Sequence, residues 1–268
     1  MEVIDWKVTL LPFQQAVNEL VTKFSGIKRD FVGKGMHSPI EDVEGRVKSI
    51  ASILEKADRK NIPVTQAVNK LEDIAGVRII CRFVEDIEKV VHMIKHREGK
   101  DLFVLSEEDY VTNTKESGYR SYHITVRYPL VTAEGEMDIK CEIQIRTMAM
   151  NFWATIEHSL RYKYNGKMPE ELQERLQVCA EAAFQLDTEM TTIRDEILEA
   201  QKIMQTKNNL VSEILKNIQN LYFYAKVEKM NQFNKQFIDL YQEGNLDKLF
   251  EFNRQLETMA QLYKVQYT

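Results

Sequence analysis

Apolar positions recur with helical spacing in LLPFQQAVNELVTKFSGIKRDF, residues 10–31, and predict the first long helix. GKGMHSPIE, residues 33–41, is a loop, and its glycines lack the Lys-Ser/Thr spacing of a phosphate loop. DVEGRVKSIASILEKADRK, residues 42–60, predicts a second helix, ended before Pro63 and followed by a short one. The pattern then changes. GVRIICRFV, residues 76–84, is β-branched and apolar and predicts a buried strand. DIEKVVHMIKHRE predicts a helix and DLFVLSE a short strand. YHITVRYPL and MDIKCEIQIRT predict two strands joined by VTAEGE as a hairpin, with Gly135 in the turn.

Beyond residue 170 the breakers almost vanish. All five prolines lie before that point, and only Gly244 follows. Apolar or small residues recur at Leu172, Leu176, Cys179, Ala183, Leu186, Met190, Ile193, Ile197, Ala200 and Met204. Alternating steps of four and three make a heptad stripe, suited to a helix lying on its own domain or to a coiled-coil contact. LVSEILKNIQNLYFYAKVEKMNQF and LDKLFEFNRQLETMAQLY predict two more helices. The chain therefore reads as an α/β (α+β) part built on a mixed sheet, followed by a long helical C-terminal extension.

Composition narrows the class. At 268 residues, 44% hydrophobic, the chain can bury a core and is not globally disordered. A net charge of -5 argues against a general nucleic-acid coat while leaving room for a local basic cleft. Cys81, Cys141 and Cys179 are odd in number and widely spaced, so no disulfide framework or zinc motif is expected. The opening residues carry early acids and no long apolar run, and no stretch reaches the length of a membrane span. A cytoplasmic protein is expected.

Four clusters could carry chemistry. Arg46, Lys48, Lys56 and Arg59 fall on the helix predicted for 42–60, as a solvated basic face or a polyphosphate grip. Asp73 ends a helix before the strand bearing Arg78, a position suited to a hard cation or merely to a turn. In KESGYRSYH, Tyr119 offers a ring for a base, and Lys115, Arg120 and His123 offer contacts to phosphates. In CEIQIRT, Glu142, Gln144 and Arg146 share one strand face and Ile143 and Ile145 the other. A carboxylate there suits a general base or a metal ligand, and equally a half-exposed polar face.

SPIEDVEGRVKSIASILEK, DIAGVRIICRF, KESGYRSYH and EIQIRTMAMNFWATIEHSLRYKY, in that order, resemble the RelA/SpoT-type alarmone synthetases. The likeness covers about residues 5–205 and is strongest to the stand-alone small synthetases of the RelQ subgroup. It implies a nucleotidyltransferase-like synthetase domain over residues 1–205, its catalytic core about 40–165, with the extension at 206–268. The implied reaction moves pyrophosphate from ATP to the 3'-hydroxyl of GDP or GTP, or GMP in some members, and releases AMP. On this resemblance Arg46 and Arg78 sandwich the adenine, and Lys48, Lys56 and Arg59 hold the ATP phosphates. Asp73 and Glu142 hold magnesium, and Glu142 activates the acceptor hydroxyl. Tyr119 stacks on guanine, Lys115 and His123 bind nearby phosphates, and Gln144 shapes the acceptor site.

The same resemblance implies a homo-oligomer, a tetramer by preference, with single-stranded RNA as a secondary ligand at most. None of the five histidines precedes an aspartate, so no His-Asp hydrolase is expected. Ser25, Lys28, Asp42 and Glu44 stand where relatives that bind product allosterically favour an aromatic and basic pocket; the two acids would repel a polyphosphate, so product activation is expected to be weak or absent. Glu107, Glu108 and Asp109 precede the guanine loop and leave the acceptor's phosphate number open. The alternative reading is a catalytically weak relative that binds nucleotides or single-stranded RNA.

Overall fold

A computed structural model describes residues 5–164, 168–223 and 227–266. The chain divides into two compact units, Met1–Thr191 and Thr192–Thr268. In the first unit α1 (Trp6–Thr9) leads into α2 (Leu11–Gly33), whose N-terminus carries Pro12 in its first turn. Then come β1 (Asp42–Val47), α3 (Ile50–Arg59), α4 (Val64–Lys70), β2 (Ala75–Cys81) and α5 (Val84–Lys95). β3 (Phe103–Asp109), β4 (Tyr122–Thr132) and β5 (Gly135–Thr147) complete the sheet, and α6 (Met148–Lys163) follows without a break.

The five strands lie in the order β1-β2-β5-β4-β3. Among the strand pairs of the described residues only β2–β5 is parallel. β4 and β5 form the expected hairpin, and Gly135 takes a φ of 127° that favours glycine.

The sheet has two unlike faces because side chains alternate along each strand. Val77, Ile79, Cys81, Ile124, Val126, Cys141, Ile143 and Ile145 are buried on one side, beneath α2 and α5. Glu44, Arg46, Arg78, Glu142, Gln144, Arg146 and His123 alternate with these and share the other side. Cross-strand register puts Glu44 opposite Arg78, Arg78 beside Gln144, and Gln144 opposite His123. The apolar face thus fixes the lateral spacing of the polar one.

Residues 42–60 are not one helix. Asp42–Val47 is an edge strand, and the helix begins only at Ile50, capped by Ser49, whose hydroxyl accepts from the Ser52 amide. Pairing with β2 overrides the helical spacing. A Cβ at Gly45 would lie 2.4 Å from Val17 Cγ1, so glycine lets α2 pack close to this strand.

α7 (Glu170–Leu221) begins in the first unit and continues into the second. The second unit adds α8 (Val227–Glu243) and α9 (Leu246–Gln266). Its core is Leu210, Ile214, Ile218, Leu221, Met230, Phe233, Leu249, Phe252 and Leu256. Asn217 donates to Asn253 beside that core. The helix expected over 210–233 is two elements: its first half is the end of α7 and its last part is α8, and residues 224–226 lie outside the described set.

Candidate functional site

The polar sheet face is the floor of a cleft. Its centre is lined by Glu44, Arg46, Asp73, Gly76, Arg78, Glu142 and Gln144. It continues on one side into a space of about 480 Å³ lined by Lys48, Ser52, Lys56, Arg59, Asp73, His158 and Arg161. On the other side Arg46, Arg78, Tyr119, Gln144, Arg146 and His158 line a further recess. Shared residues join the three spaces into one cleft of a size suited to nucleotides.

At the basic end, Ser52, Lys56 and Arg59 are spaced to share one face of α3, while Ile53 and Ala57 are buried on another. Lys48 lies just beyond β1, and its amide donates to Ile74 O. Asp73, in the turn before β2, receives both lysines: Lys48 Nζ and Lys56 Nζ each lie 2.6 Å from its Oδ2. Burial works to raise the Asp73 pKa, but the two lysines outweigh it and hold the carboxyl below its ordinary value. Its second oxygen, Oδ1, is buried without a hydrogen-bond partner among the described residues. An orphaned anionic oxygen beside a second carboxylate, Glu142, fits a hard divalent cation. Such an ion takes one or two protein carboxylates and completes its shell with phosphates and water. Among the described residues no group of three His, Cys, Asp or Glu could hold a metal.

At the other end the side chains close a circuit. Gln144 Nε2 donates to Glu142 Oε2 at 2.5 Å, and Gln144 Oε1 accepts from Arg146 at 2.6 Å. Arg146 also donates to the Tyr119 hydroxyl at 2.7 Å, which lies 2.8 Å from His123 Nε2. His123 Nδ1 stands 3.5 Å from Glu142 Oε1 and completes the ring. Burial would raise the Glu142 pKa, but His123 and Gln144 outweigh it and keep the carboxyl below its ordinary value. This carboxyl is therefore ionised at neutral pH and held in one orientation. Burial, partly offset by Tyr119 and Glu142, lowers the Arg146 pKa from its very high ordinary value.

Tyr110, Tyr119 and His123 form an edge-to-face aromatic group, and Lys115 Nζ lies 3.9 Å from the Tyr110 ring centre. Burial and a bond to Glu108 push the Tyr110 pKa up to about 12, so its hydroxyl stays protonated.

Arg120 departs from expectation. It turns away from the cleft to α7, ion-paired with Glu181 at 2.8 Å and stacked 4.3 Å from the Phe184 ring centre. It lies in the loop before β4, and its pairing with α7 makes it an anchor of that loop. Gly118, at φ 82°, lies so close to α7 that a Cβ would meet Ala180 Cβ at 2.6 Å. Trp153 Nε1 donates to Leu176 O, and Thr147 Oγ1 donates to Asp187 Oδ2 at 2.5 Å. Glu107 also faces away, bound by Lys95 and Tyr122, and Asp109 caps the amides of Val111 and Thr112.

The structure thus gathers Arg46, Lys48, Lys56, Arg59, Asp73, Arg78, Tyr119, Glu142 and Gln144 around one cleft, with His123 hydrogen-bonded into it and Lys115 on its rim. Sequence reasoning missed His158 and Arg161, which α6 turns into the basic end, and gave Arg146 no role. The spacing of 158 and 161 on one helix face was the available signal.

Residues 45–167 match the family model described as a region found in RelA / SpoT proteins. The chain is 54% identical over 202 residues to GTP pyrophosphokinase YjbM of Bacillus subtilis (strain 168), spanning 75% of this chain and 94% of that protein. It resembles the structure of small alarmone synthetase 1 of Bacillus subtilis bound to its product pppGpp. That match has 54% identity and a TM-score of 0.68, over 72% of this chain and 97% of the other. The same enzyme bound to AMPCPP matches with 50% identity and a TM-score of 0.63, over 72% and 98%.

Proposed function

The chain belongs to the small alarmone synthetases of the RelA/SpoT family, and we propose that its cleft transfers the pyrophosphate of ATP to the 3'-hydroxyl of GDP or GTP. The products are (p)ppGpp and AMP. The observation that carries this reading is the pairing, in one cleft, of a lysine-rich end around Asp73 with an ionised, oriented Glu142. Residues 1–205 form the synthetase domain on this reading, and the rest is an appendage to it.

Arg46 and Arg78 hold the adenine of ATP between planar guanidinium groups. Lys48, Lys56 and Arg59 take the phosphates, and the lysines then exchange Asp73 for substrate. Tyr119 stacks on guanine, with Lys115 and His123 near the acceptor phosphates. Glu142 removes the 3'-hydroxyl proton as that oxygen bonds to the β-phosphorus, and the bridging oxygen leaves with AMP. Gln144 and His123 hold the carboxylate in its ionised, aimed state. Phosphoryl-type transfer depends on positioning and charge neutralisation, which these groups provide. Asp73 and Glu142 would hold a magnesium ion, which when bound would supply further neutralisation of phosphate charge.

Among the described residues no helix is long and apolar enough to cross a membrane, and a cytoplasmic setting suits the substrates. Self-association, as a tetramer, is part of the same reading. Met148, Phe152, Ile156 and Leu160 support it, an exposed apolar stripe at four-residue spacing along α6.

The test is chromatography of protein incubated with magnesium, ATP and GDP, beside Glu142→Gln. AMP and ppGpp should appear together and vanish in the variant. No product with GDP, GTP or GMP would overturn the assignment.

A further inference from the structure

Both substrates of this reaction are purine nucleotides with charged phosphate chains. Stacking between two arginines cannot tell adenine from guanine, since each base has a π-face. A donor site of that kind would admit GTP in place of ATP unless something at its edge reads the base.

Glu44 stands at that edge. It lies two residues from Arg46 on β1, hence on the same sheet face, and directly opposite Arg78 on β2. It lines the centre of the cleft together with both arginines. Arg78 Nη1 donates to Glu44 Oε2 at 3.2 Å, and the side chain is 53% exposed. The other carboxylates lining this space are already engaged, Glu142 by Gln144 and His123, and Asp73 by Lys48 and Lys56. Gln144 is engaged at both ends of its amide. At the arginine end Glu44 is held through Oε2 by Arg78, and its Oε1, which has no hydrogen-bond partner among the described residues, remains to meet a ligand. An ionised carboxylate only accepts hydrogen bonds. Facing C6, it is complementary to the exocyclic amine of adenine and repels the carbonyl oxygen that guanine and hypoxanthine carry there; it could accept from their neighbouring N1–H only if displaced toward N1.

We propose that Glu44 is a specificity-determining residue of the donor site, reading the C6 amine and excluding 6-oxo purine triphosphates. The inference rests on the reading that Arg46 and Arg78 hold the donor base. Inosine 5'-triphosphate is the probe, because it exchanges the amine for a carbonyl and keeps the sugar and phosphates of ATP. With GDP as acceptor, kcat/KM is measured for ATP and for inosine triphosphate in the wild type, Glu44→Gln and Glu44→Ala. Wild type should prefer ATP, and each variant should cut that preference about tenfold, the worth of one hydrogen bond to a charged group. The half-exposed position makes both substitutions compatible with folding, which a thermal melt checks, and either variant alone carries the comparison.

Equal losses with both donors would reduce Glu44 to a support for Arg78 and overturn the proposal, as would an unchanged ratio. A wild type that uses ATP with either of these results sinks only the role of Glu44. A wild type that makes no alarmone from ATP sinks the donor assignment and this inference with it.

Discussion

At the basic end of the cleft two lysines converge on a single oxygen, Asp73 Oδ2, while at the opposite end five side chains are linked by four hydrogen bonds and closed into a ring by the His123–Glu142 contact. The first arrangement is a holding pattern. On the proposed function its cations neutralise a carboxylate until a triphosphate replaces it, and charges are exchanged when substrate enters. The second is already arranged for its task. Glu142 is oriented and kept ionised by neighbours that have no need to move. One end is therefore built to rearrange on binding and the other to act without rearranging, and preorganised charge is the larger source of rate.

Removing the ring's base should have the greatest effect. Glu142→Gln is expected to lower kcat by about 10²–10⁴ with little change in the KM for ATP. A loss below tenfold in single-turnover assays would show that the preorganised end does not supply the base. Asp73→Asn should come next, with a loss of about a hundredfold and a raised magnesium requirement, read from a magnesium titration at saturating ATP. If the requirement stays put, Asp73 serves the lysines alone.

Arg120→Ala should be milder and one-sided. Loss of its pairing with Glu181 loosens the loop bearing Tyr119, raising the KM for GDP about tenfold while leaving that for ATP in place. Equal rises in both would break the division into two ends.

The pH profile tests the two ends together. The Asp73 and Glu142 pKa values are depressed below 3.8 and 4.5, so both groups stay ionised as pH falls from 7 to 5. Their contribution to stability is complete above those ordinary values and is lost only as pH drops through the depressed ones. The rate should therefore show no acid limb from either carboxylate in that window, and a limb that disappears in Glu142→Gln would contradict the assignment.

The smallest effect concerns the support beneath the ring. Burial raises the Asp187 pKa to about 6, against the pull of its bond from Thr147. A raised value means the folded protein favours the protonated form, so this group's stability contribution is full below 3.8 and lost as pH rises through about 6. Asp187→Asn should raise Tm by a few degrees at pH 8 and by nothing at pH 4, a gain bounded by about 3 kcal/mol. Melting curves at the two pH values decide it.

Much of the cleft was legible because its residues sit in short strands. The alternation of Glu142, Gln144 and Arg146 with Ile143 and Ile145 separates floor from core in five letters. What stayed hidden depends on neighbours distant in sequence. Residues 42–47 fit the helical spacing of the true helix that starts at Ile50, and what makes them a strand is their distant partner β2, paired from Asp42 with Ile80 to Val47 with Ala75. The turn of Arg120 toward Glu181 and Phe184 could not be read, because nothing local says that α7 passes behind the loop. His158 and Arg161 needed the placement of α6 against the basic end before their charges acquired a meaning.

The contact between Gly118 and Ala180 joins two segments some sixty residues apart so tightly that neither can change size by itself. A bulkier residue at 180 has no room above the loop, and the left-handed backbone at 118 resists any replacement for glycine. The acceptor loop and the start of α7 are therefore inherited as a pair. A chimera that takes the loop from one synthetase and this helix from another will work only where both parents keep the same small residue at the crossing.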